Sequence, residues 1–335
     1  NAWNGYYNGS KELNSTINNI VPYSDSWYRE LARRSTDPSL ERVRINDKNQ
    51  YEYFANTDWM DAFYKDFNYS HEHNISVSGG NQNADYYVSG RFYDQDGIYR
   101  VGDERYKQYN VRAKGRIRPW LRLNNNMDFT VVDYHQPMLY YSLQLPQRMI
   151  EHGGQPINPI TNPDGTWTYA AVLNGYAGFA EGSSYQQDDK FTMKDKLGIE
   201  IDVVKDVLKI SGDLSYLFAR NKRERVTNMY TGYRGPDTPI TVNESQGSTL
   251  ENLRQDTNYL SSNIYGEYTP KLGDDHTLKL LAGWNLETKK YRGTTIKREG
   301  LTVPSKPSFG LMDGLTSDPV VSGYDWSYVG AFFRA

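Results

Sequence analysis

From Tyr109 onward the chain alternates with a period of two. Arg112, Lys114, Arg116 and Arg118 take every second position, and Val111, Ala113, Gly115 and Ile117 lie between them. A strand sends successive side chains to opposite faces, so this stretch has one cationic face and one uncharged face. After Arg118-Pro119-Trp120 the pattern restarts. Leu121, Leu123, Met127, Phe129 and Val131 share a face interrupted only by Asn125, and Arg122, Asn124, Asn126, Asp128 and Thr130 share the other. Further along, Phe191, Met193, Leu197, Ile199, Ile201 and Val203 alternate with Thr192, Lys194, Lys196, Glu200 and Asp202, with Asp195 as the break. Leu278, Leu280, Ala282, Trp284 and Leu286 oppose Thr277, Lys279 and Asn285 in the same manner.

The periodicity predicts strands at about 72–80, 84–94, 106–118, 120–132, 190–203, 207–219, 257–269, 276–289 and 325–335. The connections between them alternate short and long: GGNQ, QDGIYRVGDER, Pro119, 133–189, VKDV, 220–256, KLGDD and 290–324. Antiparallel strands joined this way put the tight turns on one side and the long loops on the other, as in a transmembrane barrel. Strands of about 11 to 14 residues exceed the roughly 5 or 6 usual in globular sheets and satisfy the roughly 9–11 that cross a bilayer. A cation turned toward lipid costs about 2–4 kcal/mol at midplane. On that architecture the face of Arg112, Lys114, Arg116 and Arg122 meets a water-filled lumen, and the face of Val111, Ala113, Ile117, Leu121, Leu123, Phe129, Ile199, Leu280 and Trp284 meets lipid. A soluble β-rich module that binds a glycan or a protein, with one wet face, satisfies the same alternation.

Composition narrows the classes. The chain has 335 residues, 37% of them hydrophobic, and a mean hydropathy of -0.79. No apolar run approaches the roughly 18 residues of a spanning helix. The 29 tyrosines exclude a disordered chain, which is poor in aromatic residues. With no cysteine there is neither a disulfide nor a thiolate metal site, and a net charge of -3 does not announce a nucleic-acid surface. Residues 1–70 read as an irregular segment rich in Asn, Tyr and Trp, with a short helix around DSWYRELARR, and residues 71–335 as the strand region. The first residues, NAWNGYYNGS, lack the basic and apolar regions of a secretory signal, and VGAFFRA stops inside a strand pattern. The sequence is therefore expected to be an internal piece of a longer protein.

Several motifs follow one another closely: NTDWMDAF at 56–63, HNISVSGG at 73–80, YYVSGRFYDQDGI at 86–98 and RYKQYNVR at 105–112, with NPDGTW later at 162–167. In these the chain resembles the SusC-like TonB-dependent outer-membrane transporters of Bacteroidetes, densely over 56–132 and in layout elsewhere. The resemblance implies an all-β antiparallel transmembrane barrel segment, about nine strands of a barrel that has 22 in that family, with long extracellular loops. It also implies an outer-membrane active transporter that imports oligosaccharides or peptides, a SusD-like surface lipoprotein as lid, and TonB as a partner engaged through a part not present here.

Other chemistry reads weakly. His71 and His73 stand two apart without a supporting acid or histidine cluster, so a structural role is expected rather than a metal site. Glu200 and Asp202 share a face, which a charged lumen explains better than a catalytic carboxylate pair. DQDG at 94–97 lacks the rest of a calcium loop, and the basic stretch at 289–299 reads as a solvated loop rather than a nucleic-acid site. No catalytic residue, metal ligand or cofactor is expected. The candidate substrate-binding residues are Tyr140, Tyr141, Trp167 and Tyr169 in the longest loop, because sugars and peptides stack on exposed rings, and Arg112 and Arg116 on the cationic face. Tyr176, Phe179, Tyr230 and Tyr233 share the loop setting, and packing of the loops against each other or against a lid is the competing account.

Overall fold

The computed structural model describes residues 25–117, 121–138, 150, 154–242, 247–273 and 276–335. Helix α1 (Asp25–Thr36) opens this part, followed by a small hairpin of β1 (Val43–Ile45) and β2 (Tyr51–Tyr53) and by helix α2 (Trp59–Phe63). Then come four long strands: β3 (Ser70–Gly80), β4 (Ala84–Asp96), β5 (Arg105–Ile117) and β6 (Leu121–Pro137). Two short helices, α3 (Tyr169–Leu173) and α4 (Tyr176–Glu181), precede β7 (Tyr185–Val204) and β8 (Leu208–Thr227). A second hairpin, β9 (Tyr230–Tyr233) with β10 (Pro239–Val242), leads to β11 (Thr249–Tyr268), β12 (Leu280–Glu299) and β13 (Val320–Arg334). The nine long strands form one antiparallel sheet in the order β3-β4-β5-β6-β7-β8-β11-β12-β13.

The register proves the alternation. Val111, Phe129, Met193 and Phe218 stand side by side across four strands. So do Ile117, Leu123, Ile199, Gly212, Ile264, Trp284 and Ala331 across seven. Residues directly opposite in an antiparallel ladder share a face, so one face is apolar from β5 to β13. Arg112, Asp128, Lys194, Leu217, Tyr259, Lys289 and Trp326 make the matching row on the polar face. The two breaks seen in sequence meet each other: Asn125 donates from Nδ2 to Asp195 Oδ1 at 2.6 Å.

The strands run further than their alternation. On β7 the apolar face reads Ile201, Ile199, Leu197, Asp195, Met193 and Phe191 before it turns to Asp189 and Gln187. On β8 it reads Ile210, Gly212, Leu214, Tyr216 and Phe218 before Arg220, Lys222 and Glu224. The apolar spans match the roughly 9–11 residues of a bilayer crossing. Beyond them both faces are polar and the periodic signal vanishes, but the backbone ladder continues because its hydrogen bonds do not depend on side-chain polarity. The basic stretch at 289–299, expected as a loop, therefore lies inside β12. The long connections shrink to 97–104, 138–184, 228–248 and 300–319, all on one side, opposite 81–83, 205–207 and 269–279. The first tight turn is built by asparagine rather than by glycine: Asn81 Oδ1 accepts from the amides of Asn83 and Ala84 at 2.8 and 3.0 Å. Gly79 and Gly80 still belong to β3, where a side chain at Gly79 would strike the Tyr86 ring.

The buried core sits in the helices and connections and at the strand ends that join them. Trp59, Phe63, Ala170, Ala171 and Phe179 form one cluster, and Trp27, Phe54 and Ile157 a second. Val172, Ala177 and Tyr230 form a third, and Val226, Leu250 and Met312 a fourth. Together they make a cap over the side of the sheet that carries the long connections.

Candidate functional site

The motifs that stood out in sequence build this cap. In NTDWMDAF, Asp58 caps helix α2, its Oδ1 accepting from the amides of Met60 and Asp61 at 3.0 Å each. That cap points Trp59 and Phe63 inward, and Trp59 donates from Nε1 to the Gln155 carbonyl at 3.1 Å. In NPDGTW, Gly165 takes a positive φ of 84° that lets the turn close. Asn162, 3% exposed, receives the Tyr53 hydroxyl at 2.7 Å and donates to Thr166 Oγ1 at 3.0 Å and the Trp167 carbonyl at 3.1 Å. Tyr51 donates to Asp164 Oδ2 at 3.0 Å. Partial burial and this carboxylate raise the Tyr51 phenol, while the Thr166 hydroxyl and amide hold Asp164 below the usual carboxylate range.

The predicted aromatic candidates separate. Tyr140 and Tyr141 lie outside the described residues. Trp167 is half-buried, packs edge-on to Tyr176 with centroids 6.2 Å apart and donates to Glu181 Oε1 at 2.7 Å. Tyr169 is half-buried and carries the Arg234 guanidinium over its ring at 4.2 Å. Phe179 and Tyr230 are buried in the cap. Burial pushes the Tyr176 phenol up, and burial beside Glu104 takes Tyr99 to about 12, so these rings stay neutral packing elements.

The cationic candidates lie on the polar face of the sheet. Arg112 pairs with Asp128 at 3.1 Å, and Arg116 forms no ion pair among the described residues. The carboxylates Glu200 and Asp202 are gripped by the Arg122 guanidinium at 3.0 and 2.9 Å, with Lys209 on Glu200 at 2.9 Å. Their partners make them part of a charge lattice in the wall. His71 and His73 stand on the other face against Phe92, the two rings 5.3 Å apart.

Two features of the polar face escaped the sequence. One is a cleft of about 490 Å³ lined by Arg112, Lys114, Asp128, Lys194, Lys196 and Tyr259. The other is a shelf of rings on β11 to β13. Tyr259 meets Trp326 at 6.2 Å, Trp326 meets Tyr328 at 4.8 Å, and Tyr291 stacks on Tyr324 at 5.2 Å. The signal was present, since Tyr324, Trp326 and Tyr328 alternate, but only the pairing of β11, β12 and β13 brings Tyr259 and Tyr291 beside them.

No family model matches the sequence, and no curated protein matches it. Solved structures do match. The chain superposes on the RagAB peptide importer in its open-open state with a TM-score of 0.62 at 14% identity, covering 96% of this chain and 35% of that one. The RagAB peptide transporter gives 0.60 at 16% identity, and the importer in its closed-closed state 0.57 at 16%, with the same coverage. The nine-stranded antiparallel sheet has the fold of the matching part of these structures. This chain spans about a third of the length of the chains it matches.

Proposed function

We propose that the chain is part of a SusC-like, TonB-dependent active transporter of the outer membrane, importing oligosaccharides or peptides under a SusD-like lid lipoprotein. The observation that carries this reading is the two-faced register of the nine-stranded sheet, whose apolar spans have bilayer-crossing length and end in charge. The apolar face meets lipid and the face of Arg112, Arg116 and the ring shelf lines the lumen. The cap of Trp167 and Tyr169 lies outside the cell, where cargo or lid contacts it. The likeness to peptide importers favours peptide cargo, and exposed rings on the polar face suit either cargo class. TonB engages a part of the protein outside this chain, and the reading assigns no catalytic step.

Cysteine scanning of the full-length transporter in intact outer membranes tests this. A water-soluble maleimide should label positions 112 and 114 quickly and leave 111 and 113 protected. Fast labelling at 111 and 113 with protection at 112 and 114 reverses the faces and removes the reading.

A further inference from the structure

The cleft on the polar face is unbalanced in charge. Arg112, Lys114, Lys194 and Lys196 bring four cations to it from two strands separated by β6. Asp128 is the carboxylate that answers them from the same face, and Arg112 already occupies it at 3.1 Å. Asp195 also borders the cleft, but by register its side chain belongs to the opposite face, where Asn125 holds it. Lys196 reaches Asp213 only at 4.0 Å. Lys114 and Lys194 are exposed and form no ion pair among the described residues. Several other cations on this face are answered: Arg122 holds two carboxylates, Arg223 pairs with Asp188 at 2.8 Å and Lys279 with Glu267 at 2.8 Å, while Arg116 outside the cleft is not answered among the described residues. Two unanswered ammonium groups in a shared concavity concentrate positive potential, and a concave wall focuses it.

Resting on the transporter reading, we propose that Lys114 and Lys194 form an anion-binding site in the barrel wall that recognises carboxylate groups of the cargo, with Arg112 and Lys196 at its margin. An ammonium is a compact point charge with three rotatable donors, so the site accepts carboxylates in several orientations rather than one fork geometry. That suits cargo that must move on. Tyr259 borders the same cleft and touches the ring shelf through Trp326. Neighbouring strands lie about 4.8 Å apart, so Lys194 and Tyr259, two strands apart in one row, are about 10 Å from each other across the sheet. A flexible acidic segment held at the lysines therefore lays its next groups on the shelf.

The test uses the purified full-length transporter in detergent at low salt, titrated with penta-glutamate and penta-glutamine peptides carrying a neutral dye. Wild type should bind penta-glutamate at least tenfold more tightly than penta-glutamine. Lys114→Gln with Lys194→Gln should abolish that preference while leaving penta-glutamine affinity unchanged. Lys222→Gln with Lys290→Gln, on the other face, should leave it intact. Lys114→Glu with Lys194→Glu should turn the preference toward penta-lysine, which separates a site from a folding defect. Equal affinity of wild type for the two peptides, or a preference that survives the double glutamine variant, overturns the proposal. Uptake by whole cells is a separate readout. Absence of uptake with the peptide preference intact would overturn the transporter reading and leave the site standing.

Discussion

In the sheet, Ile75 keeps 73% of its surface exposed and Ile199 37%, while in the cap Phe54, Phe63 and Ile157 keep none. The two regions belong to one chain and obey the same transfer energetics, about 1.5–3 kcal/mol for fully burying such a side chain. They differ in what completes the burial. The cap supplies its own neighbours from α2, α3, α4 and the connections, so it is finished in water. The wall presents a continuous apolar face whose residues stay exposed, the mark of a surface that meets a membrane or a partner. The lesson is that a low overall hydrophobic fraction conceals two separate apolar surfaces, one closed within the chain and one left open on the face of the sheet.

Substitutions in each region should break this contrast in different ways. The largest expected effect is in the cap. Phe63→Ala removes a fully buried ring, a change that costs about 3–5 kcal/mol in packed cores. Hydrogen exchange should accelerate in 155–182 while β7 and β8 keep their protection, and uniform acceleration through both regions would show that wall and cap are not separate units. In the wall, Ile199→Arg should cost about 2–4 kcal/mol for folding into bilayers, against a negligible change for Lys196→Arg on the opposite face. Equal costs for the two would erase the difference between the faces. The smallest effect is expected at the outer surface of the cap. Trp167→Ala in the full-length protein should weaken cargo or lid binding at least tenfold, about 1.4 kcal/mol. If both affinities stay within twofold, Trp167 serves Tyr176 and Glu181 alone.

The wall was legible because its signal is local. Alternation at Val111 to Ile117 needs no knowledge of the neighbouring strand, and all nine strands could be placed from it. Their outer ends were not legible, since Arg220, Asn221, Lys222 and Arg223 present charge or amide on both faces and only the ladder marks them as strand. The cap was legible as motifs and not as contacts. Asp58 and Asn162 read as turn and cap residues, but nothing in the chain near Asn162 says that Tyr53 will reach it. The site was half visible. Arg112 and Lys114 announced a cationic strand, whereas the cleft required Lys194 to arrive from another hairpin and Asp195 to face away.

The hydrogen bonds that fasten the cap join residues far apart in the chain: 113 positions for Tyr51 and Asp164, 109 for Tyr53 and Asn162, 96 for Trp59 and Gln155. Between those partners lie β3, β4, β5 and β6, each pairing with its immediate neighbour. Hairpins close short loops, while the cap must close a long one, and the entropic cost of closure grows by about 0.6 kcal/mol with each doubling of length. Assembly therefore has an order. The two hairpins of β3 to β6 form first and bring Tyr53 and Asn162 to the same side, and the cap locks afterwards. Four antiparallel strands return the chain to the side it left, so the loss of any one would part Tyr53 from Asn162, and the cap closes only over a complete wall.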